Sequence, residues 1–328
     1  MKINLLMAVL ISSLGVTISS CGNGSSNTTT GQSYYSASYS SYYNIQSSTE
    51  NNESSLYLSI VSPGVQYVTN ALLTPTLNIE SQYEFSQNGA SGTVTIKNGN
   101  LGISYVSQNS SWIDFATNTN NIANSVPNGT YNLICDQTNI SACQLTINNN
   151  EVSITEYSMT GQSTILCNNS SLQLDSSNQN PYLWQFNCGV NGGSTHGMWY
   201  MLPFVSNNQT SFLISEYNPT VNENDDVTDE IAFIKPLAQI NPSGNYNYLY
   251  TGLSGGGVGI TTVQFATSPA SLINSITCGS LCGLNTNQYY SNQSQIGFDW
   301  YTNTTSSYNL VGNDAQKIYQ DSYEGFYF

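Results

Sequence analysis

Charge is what this sequence has least of. Only 7% of its 328 residues are Asp, Glu, Lys or Arg, where a globular chain carries about a quarter. Four lysines and no arginine face 19 carboxylates, for a formal net charge of −15. A chain without a basic patch cannot gather phosphates by neutralising them, so nucleic-acid binding is excluded. Nor can it reach anionic lipid through a polybasic surface. Solubility falls to Asn, Ser, Thr, Gln and 24 tyrosines. With so few bases, protonating the carboxylates leaves a nearly neutral chain that repels itself little. That predicts tolerance of an acidic medium.

Long helical stripes are missing too. The best helical stretch, "DAQKIYQDSY" at 314–323, is short. Histidine occurs once, at His196. Downstream lie Asp225, Asp226 and Asp229, then Ser254 in "GLSGG". This order is loosely similar to chymotrypsin-like proteases and their Gly-Asp-Ser-Gly-Gly. His196 and Ser254 are only 58 residues apart, too close for two barrels to hold a triad between them. Leu253 also stands where that motif has Asp. "GLSGG" equally fits Gly-x-Ser-x-Gly of α/β-hydrolases, but their histidine must follow the serine, and none does. "GLSGGGVG" therefore reads as a glycine-rich turn, and no catalytic residue is assigned.

The chain opens with Met1-Lys2, an almost uncharged apolar run "INLLMAVLISSLGV", and small residues up to Cys21. A charged n-region, an apolar h-region and a small-residue cleavage region make a secretory signal peptide. Ser12, Ser13 and Gly15 leave the run too short and polar for a good membrane span, which needs roughly 20 apolar residues. Ile18-Ser19-Ser20-Cys21 resembles the lipobox of bacterial lipoproteins. The resemblance covers the leader alone. It implies cleavage before Cys21, diacylation of its thiol and acylation of the new N-terminus. Several acyl chains anchor lastingly where one is marginal. The expected localisation is export with a lipid anchor in a bacterial membrane, the outer membrane or cell surface.

Six cysteines remain: Cys135, Cys143, Cys167, Cys188, Cys278 and Cys282. An even number in an exported chain argues for disulfides, with 15 pairings allowed. Nearest-neighbour pairing (135–143, 167–188, 278–282) is the simplest. Zinc at Cys278 and Cys282 would want four Cys or His ligands, and one histidine does not supply them. The single acidic cluster, "NENDDVTDE" at 222–230, offers Asp225, Asp226, Asp229 and Glu230 as calcium candidates. It lacks the EF-hand glycine and final glutamate, and a solvated acidic loop is the simpler account. No other cofactor is expected.

Residues 22–53 are rich in Ser, Asn, Thr and Tyr and nearly free of aliphatics, the composition of a flexible tether. From Leu56 onward, short apolar runs alternate with Asn, Gly and Pro. The clearest unit is "GTVTIKNGNLGISYV", 92–106. With Asn98-Gly99 at a two-residue type I′ turn, Ile96 faces Leu101 and Val94 faces Ile103, with Thr95 and Gly102 on the other side. "CQLTINNNEVSITEY", 143–157, repeats the design around Asn149-Asn150, since Asn tolerates positive φ. A longer echo links "WIDFATNTNNIANSVPNGTYNLIC" (112–135) to "DEIAFIKPLAQINPSGNYNYLY" (229–250). Its Gly129-to-Gly244 spacing makes a duplicated module of roughly 115 residues a candidate. The terminal "YEGFYF" fits a last core strand better than the end of an outer-membrane barrel.

The expected fold is all-β: one or two antiparallel sandwich or barrel modules, with duplication as a candidate, behind a disordered tether. The expected divisions are a signal peptide at 1–20, a lipidated tether at 21–53, β-rich domains at 54–235 and a C-terminal β-rich module at 236–328. Tyr beside Ser, Asn and Gly is also the composition of adaptable binding surfaces. The expected function is binding or structural work at the cell surface, with a glycan or surface protein as candidate ligand. The alternative is an exported, carboxylate-dependent hydrolase of the glycosidase kind.

Overall fold

The computed structural model describes residues 28–38, 42–50, 53–61, 68–77, 81–136, 141–157, 162–176, 179–188, 197–206, 208–217, 228, 230–234, 244–250, 258–266, 275–277, 289–291, 301–303, 309–313, 318–321 and 325–328. All regular structure among them is β. The first eight strands are β1 (Thr28–Tyr35), β2 (Tyr42–Glu50), β3 (Glu53–Val61), β4 (Val68–Pro75), β5 (Gln82–Gln87), β6 (Ala90–Lys97), β7 (Asn100–Val106) and β8 (Ser111–Asn118). Each pairs with the next, and β1 pairs with β8, so they close into a barrel.

The next nine are β9 (Gly129–Asp136), β10 (Ser141–Asn148), β11 (Glu151–Tyr157), β12 (Ser163–Ser171), β13 (Gln173–Leu174), β14 (Trp184–Asn187), β15 (Met198–Ser206), β16 (Gln209–Tyr217) and β17 (Glu230–Ile234). Their order is β12-β11-β10-β9-β17-β16-β15-β14-β13. The first strand again lies beside the last. β12 and β13 are separated by Leu172 alone, so one bent strand serves both ends of the sheet and nearly closes a second barrel. The disulfide Cys167–Cys188 staples that seam. Ser170 Oγ crosses it as well, donating to Asn187 O at 2.6 Å and accepting from Asn187 N–H at 3.1 Å.

The last eight are β18 (Gly244–Tyr250), β19 (Gly259–Ala266), β20 (Ser275–Thr277), β21 (Tyr289–Ser291), β22 (Tyr301–Asn303), β23 (Asn309–Asn313), β24 (Ile318–Asp321) and β25 (Phe326–Tyr327). Their order, β20-β19-β18-β25-β24-β23-β22-β21, places first beside last a third time. Gly129 and Gly244, the landmarks of the sequence echo, open the first strands of the second and third sheets. The chain is thus three successive meanders of one connectivity. The boundary at 235/236 falls between β17 and β18.

The hairpins form as their turns dictate. Val94 pairs with Ile103 and Ile96 with Leu101 around Asn98 (φ 52°) and Gly99 (φ 77°). Leu145 pairs with Ile154 and Ile147 with Val152 around Asn149 (φ 50°) and Asn150 (φ 63°). Positive φ at both central residues is what a type I′ turn requires. The two hairpins are sixth and seventh in their barrel and second and third in theirs, so their 51-residue echo is not the module period.

One expectation needs correcting. The span 21–53 is not all tether: 28–35 and 42–50 are β1 and β2. Residues 21–27 lie outside the described residues. Tyr34, Tyr43 and Ile45 point into the first barrel and are buried there beside Leu58, Val94 and Ile103. Tyr and Thr are good strand formers, and here tyrosine does the work an aliphatic residue usually does.

A strand shows alternate residues to opposite faces, and that rule sorts the core into three parts. Trp112 and Ala116 join the interior of the first barrel. Phe212, Ile214 and Ala232 join that of the second. Ile113, Phe115, Leu213, Ile231, Phe233, Leu249, Phe326 and Phe328 point the other way and form one cluster where the three sheets meet. The "YEGFYF" end is thereby a last core strand, with Phe326 and Phe328 outward and Tyr327 stacked on Tyr248 at 4.4 Å.

Candidate functional site: a cleft at the mouth of the first barrel

β8 ends where the chain leaves for the second barrel. Asn118 turns it: its Oδ1 accepts from the N–H groups of Asn120 and Asn121 at 3.1 and 3.2 Å. Val205 N–H then donates to Asn121 O at 2.6 Å, and Ala123 N–H to Pro203 O at 3.0 Å, which fastens the linker along β15. β1 consequently meets β8 only at Tyr34–Asn118 and Tyr35–Thr117, although it pairs with β2 over all eight residues. A gap opens between the N-terminal part of β1 and the 119–120 turn.

That gap is a cleft of about 670 Å³. Thr30, Gln32, Ser47, Thr119 and Asn120 stand around it, with Ile45, Leu56, Tyr83 and Ile96 within. Leu56, Tyr83 and Ile96 are only partly buried against the barrel interior. Thr30 Oγ1 bonds Ser47 Oγ at 2.6 Å, and Tyr34 OH donates to Gln32 Oε1 at 3.0 Å. The Tyr34 phenol is pushed up to about 12 by burial. No Asp, Glu, Lys, Arg or His lines the cleft. Eight-stranded barrels either fill with side chains or keep room for one small ligand, and barrel mouths are favoured ligand sites.

Beneath the cleft, β1 runs on into Ser36 and Ala37, and here lies the one strongly perturbed carboxylate among the described residues. Asp114 is fully buried on β8. It accepts from Tyr43 OH, from Thr228 N–H at 2.9 Å, and from the Ser36 hydroxyl. Burial raises its pKa to about 6 against those bonds. The same burial, with Asp114 beside it, pushes Tyr43 well above the ordinary phenol. Thr228 Oγ1 donates to Phe115 O at 2.9 Å and accepts from Ala37 N–H at 3.0 Å. Ser215 Oγ donates to Ala37 O at 3.0 Å, and Asn180 Nδ2 to Ser36 O at 2.9 Å. The first barrel is bolted to the second at this point.

Few residues singled out in the sequence enter either place. Cys21, His196, Asp225, Asp226, Asp229, Ser254, Cys278 and Cys282 lie outside the described residues, as do the side chains of Cys135 and Glu230. Cys143 is disulfide-bonded, to a partner outside the described side chains. Among the described residues no group of three or more His, Cys, Asp or Glu is placed to hold a metal. No helix among them is long and apolar enough to cross a membrane. Thr30–Tyr34, Ile45 and Ser47 sit in the span whose composition reads as tether, while Leu56, Tyr83, Ile96, Thr119 and Asn120 reach the cleft from distant parts of the chain. The period-two placement of Thr30, Gln32 and Tyr34 was the available signal, and for Asp114 it was a lone carboxylate inside "WIDFA".

The chain matches no protein-family model, no curated protein and no solved structure. Its site rests on geometry alone.

Proposed function

We propose that the protein is an exported lipoprotein, acylated at Cys21, which holds an uncharged component of the cell envelope in the mouth of its first barrel. The observation that carries this is the cleft: open to solvent, lined by hydroxyl and amide groups around Ile45, Leu56 and Ile96, and uncharged throughout. A charged group entering it would find no counter-ion, and burying an unpaired charge is costly. Cys21 stands seven residues before Thr28. Seven extended residues span at most about 25 Å, so an anchored chain would keep its cleft close to the membrane. No lining residue is a carboxylate, so nothing in the cleft favours the hydrolase alternative.

The test uses the full chain carrying Cys21→Ser, so that no acyl chain confounds it. It is presented to insoluble polysaccharides and to envelope fractions. Retention is expected, and Ser47→Trp, which plugs the mouth, should abolish it with the far-UV spectrum unchanged. Retention that survives the plug, or no retention, refutes the reading. Palmitate labelling tests the anchor separately: label on the wild type and none on Cys21→Ser is expected, and an unlabelled wild type refutes it.

A further inference from the structure

Five consecutive residues of β1, Thr30–Tyr34, line the cleft. Neighbouring residues of a strand point to opposite faces. A cavity that touches all five therefore runs along the strand's edge, not beneath one face. Thr28–Ser33 pair with β2 on one side. On the other side, among the described residues, no strand pairs with them and no backbone bond reaches them. Idle edges in natural sheets are blunted by lysine, proline, a bulge or an inward charge. "TTTGQS" has none of these residues, and its register with β2 is unbroken.

We propose that this edge receives an extended, uncharged polypeptide segment of an envelope protein by strand addition, with a side chain seated on Ile45, Leu56 and Ile96. This rests on the cleft being the binding site, and it selects protein over glycan as the ligand. A strand edge repeats N–H and C=O groups at about 3.3 Å per residue, and only another extended main chain matches that repeat throughout. Six residues of edge, Thr28–Ser33, offer about 20 Å of it. The absence of any ionic side chain from the lining requires segment residues that face the cleft to be neutral.

The experiment pans a phage-displayed library of random decapeptides on the purified full chain. Winners are followed by amide hydrogen exchange with residue resolution. Enriched peptides should lack charge at alternate positions. They should slow exchange at least tenfold at every second amide of Thr28–Ser33, the ones turned away from β2. Placing lysine at their cleft-facing positions should lower affinity at least tenfold. No enrichment, or peptide binding that leaves β1 amides unchanged, overturns strand addition. So does protection of the same amides in a dimer without peptide, which makes a second copy the occupant. If a polysaccharide is retained and Ser47→Trp releases it while no peptide is selected, strand addition fails but the cleft reading stands. If Ser47→Trp affects nothing, both fail.

Discussion

Removing the charge at Asp114 should abolish a specific piece of the protein's pH dependence. The carboxyl ordinarily ionises near 3.8 and does so near 6 in the folded chain, because burial penalises its charged form. The folded state therefore holds this proton more tightly than the unfolded one. The stabilisation is fully present below the unfolded pKa and disappears as pH rises through 6. About two pKa units correspond to about 3 kcal/mol. Relative to pH 7, about 1 kcal/mol should have returned at pH 5 and nearly all of it by pH 3. The groups around the carboxyl are Tyr43 from β2, Ser36 and Thr228. Asp226 and Asp229 flank Thr228 in sequence, outside the described residues. The assay is urea unfolding of the wild type and of Asp114→Asn at several pH values, followed by tryptophan fluorescence. Trp112 lies 6.5 Å from Tyr43, centroid to centroid, and so reports this region. The difference between the two proteins isolates one group. The wild type should gain on the variant steadily from pH 7 to pH 4. Parallel pH profiles, or a wild type that loses ground on acidification, would refute the placement of a buried, proton-binding carboxylate at the junction.

Three further outcomes follow from the packing. A Cβ at Gly102 would overlap the Phe328 ring and stand 3.4 Å from Leu249 Cδ2, so Gly102→Ala should destabilise by about 1–3 kcal/mol; an unchanged urea midpoint would deny that barrel one packs on the C-terminus. Cys167→Ser removes the staple across the β12–β14 seam, whose partners are 21 residues apart, and should cost about 3 kcal/mol, measured against wild type without reductant. A chain begun at Ser54 lacks β1 and β2, so the first barrel cannot close; its Trp112 emission should shift to that of solvent-exposed indole, and a native-like spectrum would show that residues 28–50 are dispensable.

How far the sequence foretold this depends on how local each feature is. The Asn98-Gly99 and Asn149-Asn150 turns fix their hairpins within fifteen residues, and register follows from pattern and turn together. The same signal at Asn88-Gly89, which joins β5 to β6 with φ of 52° and 82°, was equally readable. β1 and β2 were not, because their outer and mouth-facing positions are Thr, Ser, Asn and Gln, which composition assigns to linkers. Nothing local announces that β1 pairs with β8, β9 with β17 or β18 with β25. Those closures join residues many strands apart, and only the repeat of the echo hinted at them. The cleft exists because β8 stops at Asn118, where a local Asx turn to Asn120 and Asn121 bends the chain, and because contacts to β15 that no local pattern encodes then hold the linker away.

The three meanders share more than connectivity. Their last strands carry "WIDF", "EIAF" and "GFYF", and in each the second and fourth residues (Ile113 and Phe115, Ile231 and Phe233, Phe326 and Phe328) enter the common cluster. One alternating pattern thus supplies the junction three times. The residue between them faces the opposite side of its sheet, and there the three differ: Ala232 in the second, Tyr327 in the third, Asp114 in the first. The junction needs no carboxylate at this position, since two of the three sheets do without it. In the first barrel the carboxylate is anchored to Tyr43, Ser36 and Thr228, directly below the strand that borders the cleft. Thr228 also begins the segment in which Ile231 N–H donates to Gln320 Oε1 of the third sheet at 2.7 Å. β1 therefore carries the open edge over Thr28–Ser33 and runs directly into the proton-sensitive bolt at Ser36 and Ala37. Anything that draws Ser36 and Ala37 out of the bolt shifts the strand along which a ligand would lie. Ionisation of Asp114 weakens the folded junction as a whole, because burial penalises its charged form more than the bonds from Tyr43, Ser36 and Thr228 N–H offset. The few bases of the chain and the raised Asp114 carboxyl then act in the same sense, favouring the closed assembly in acid.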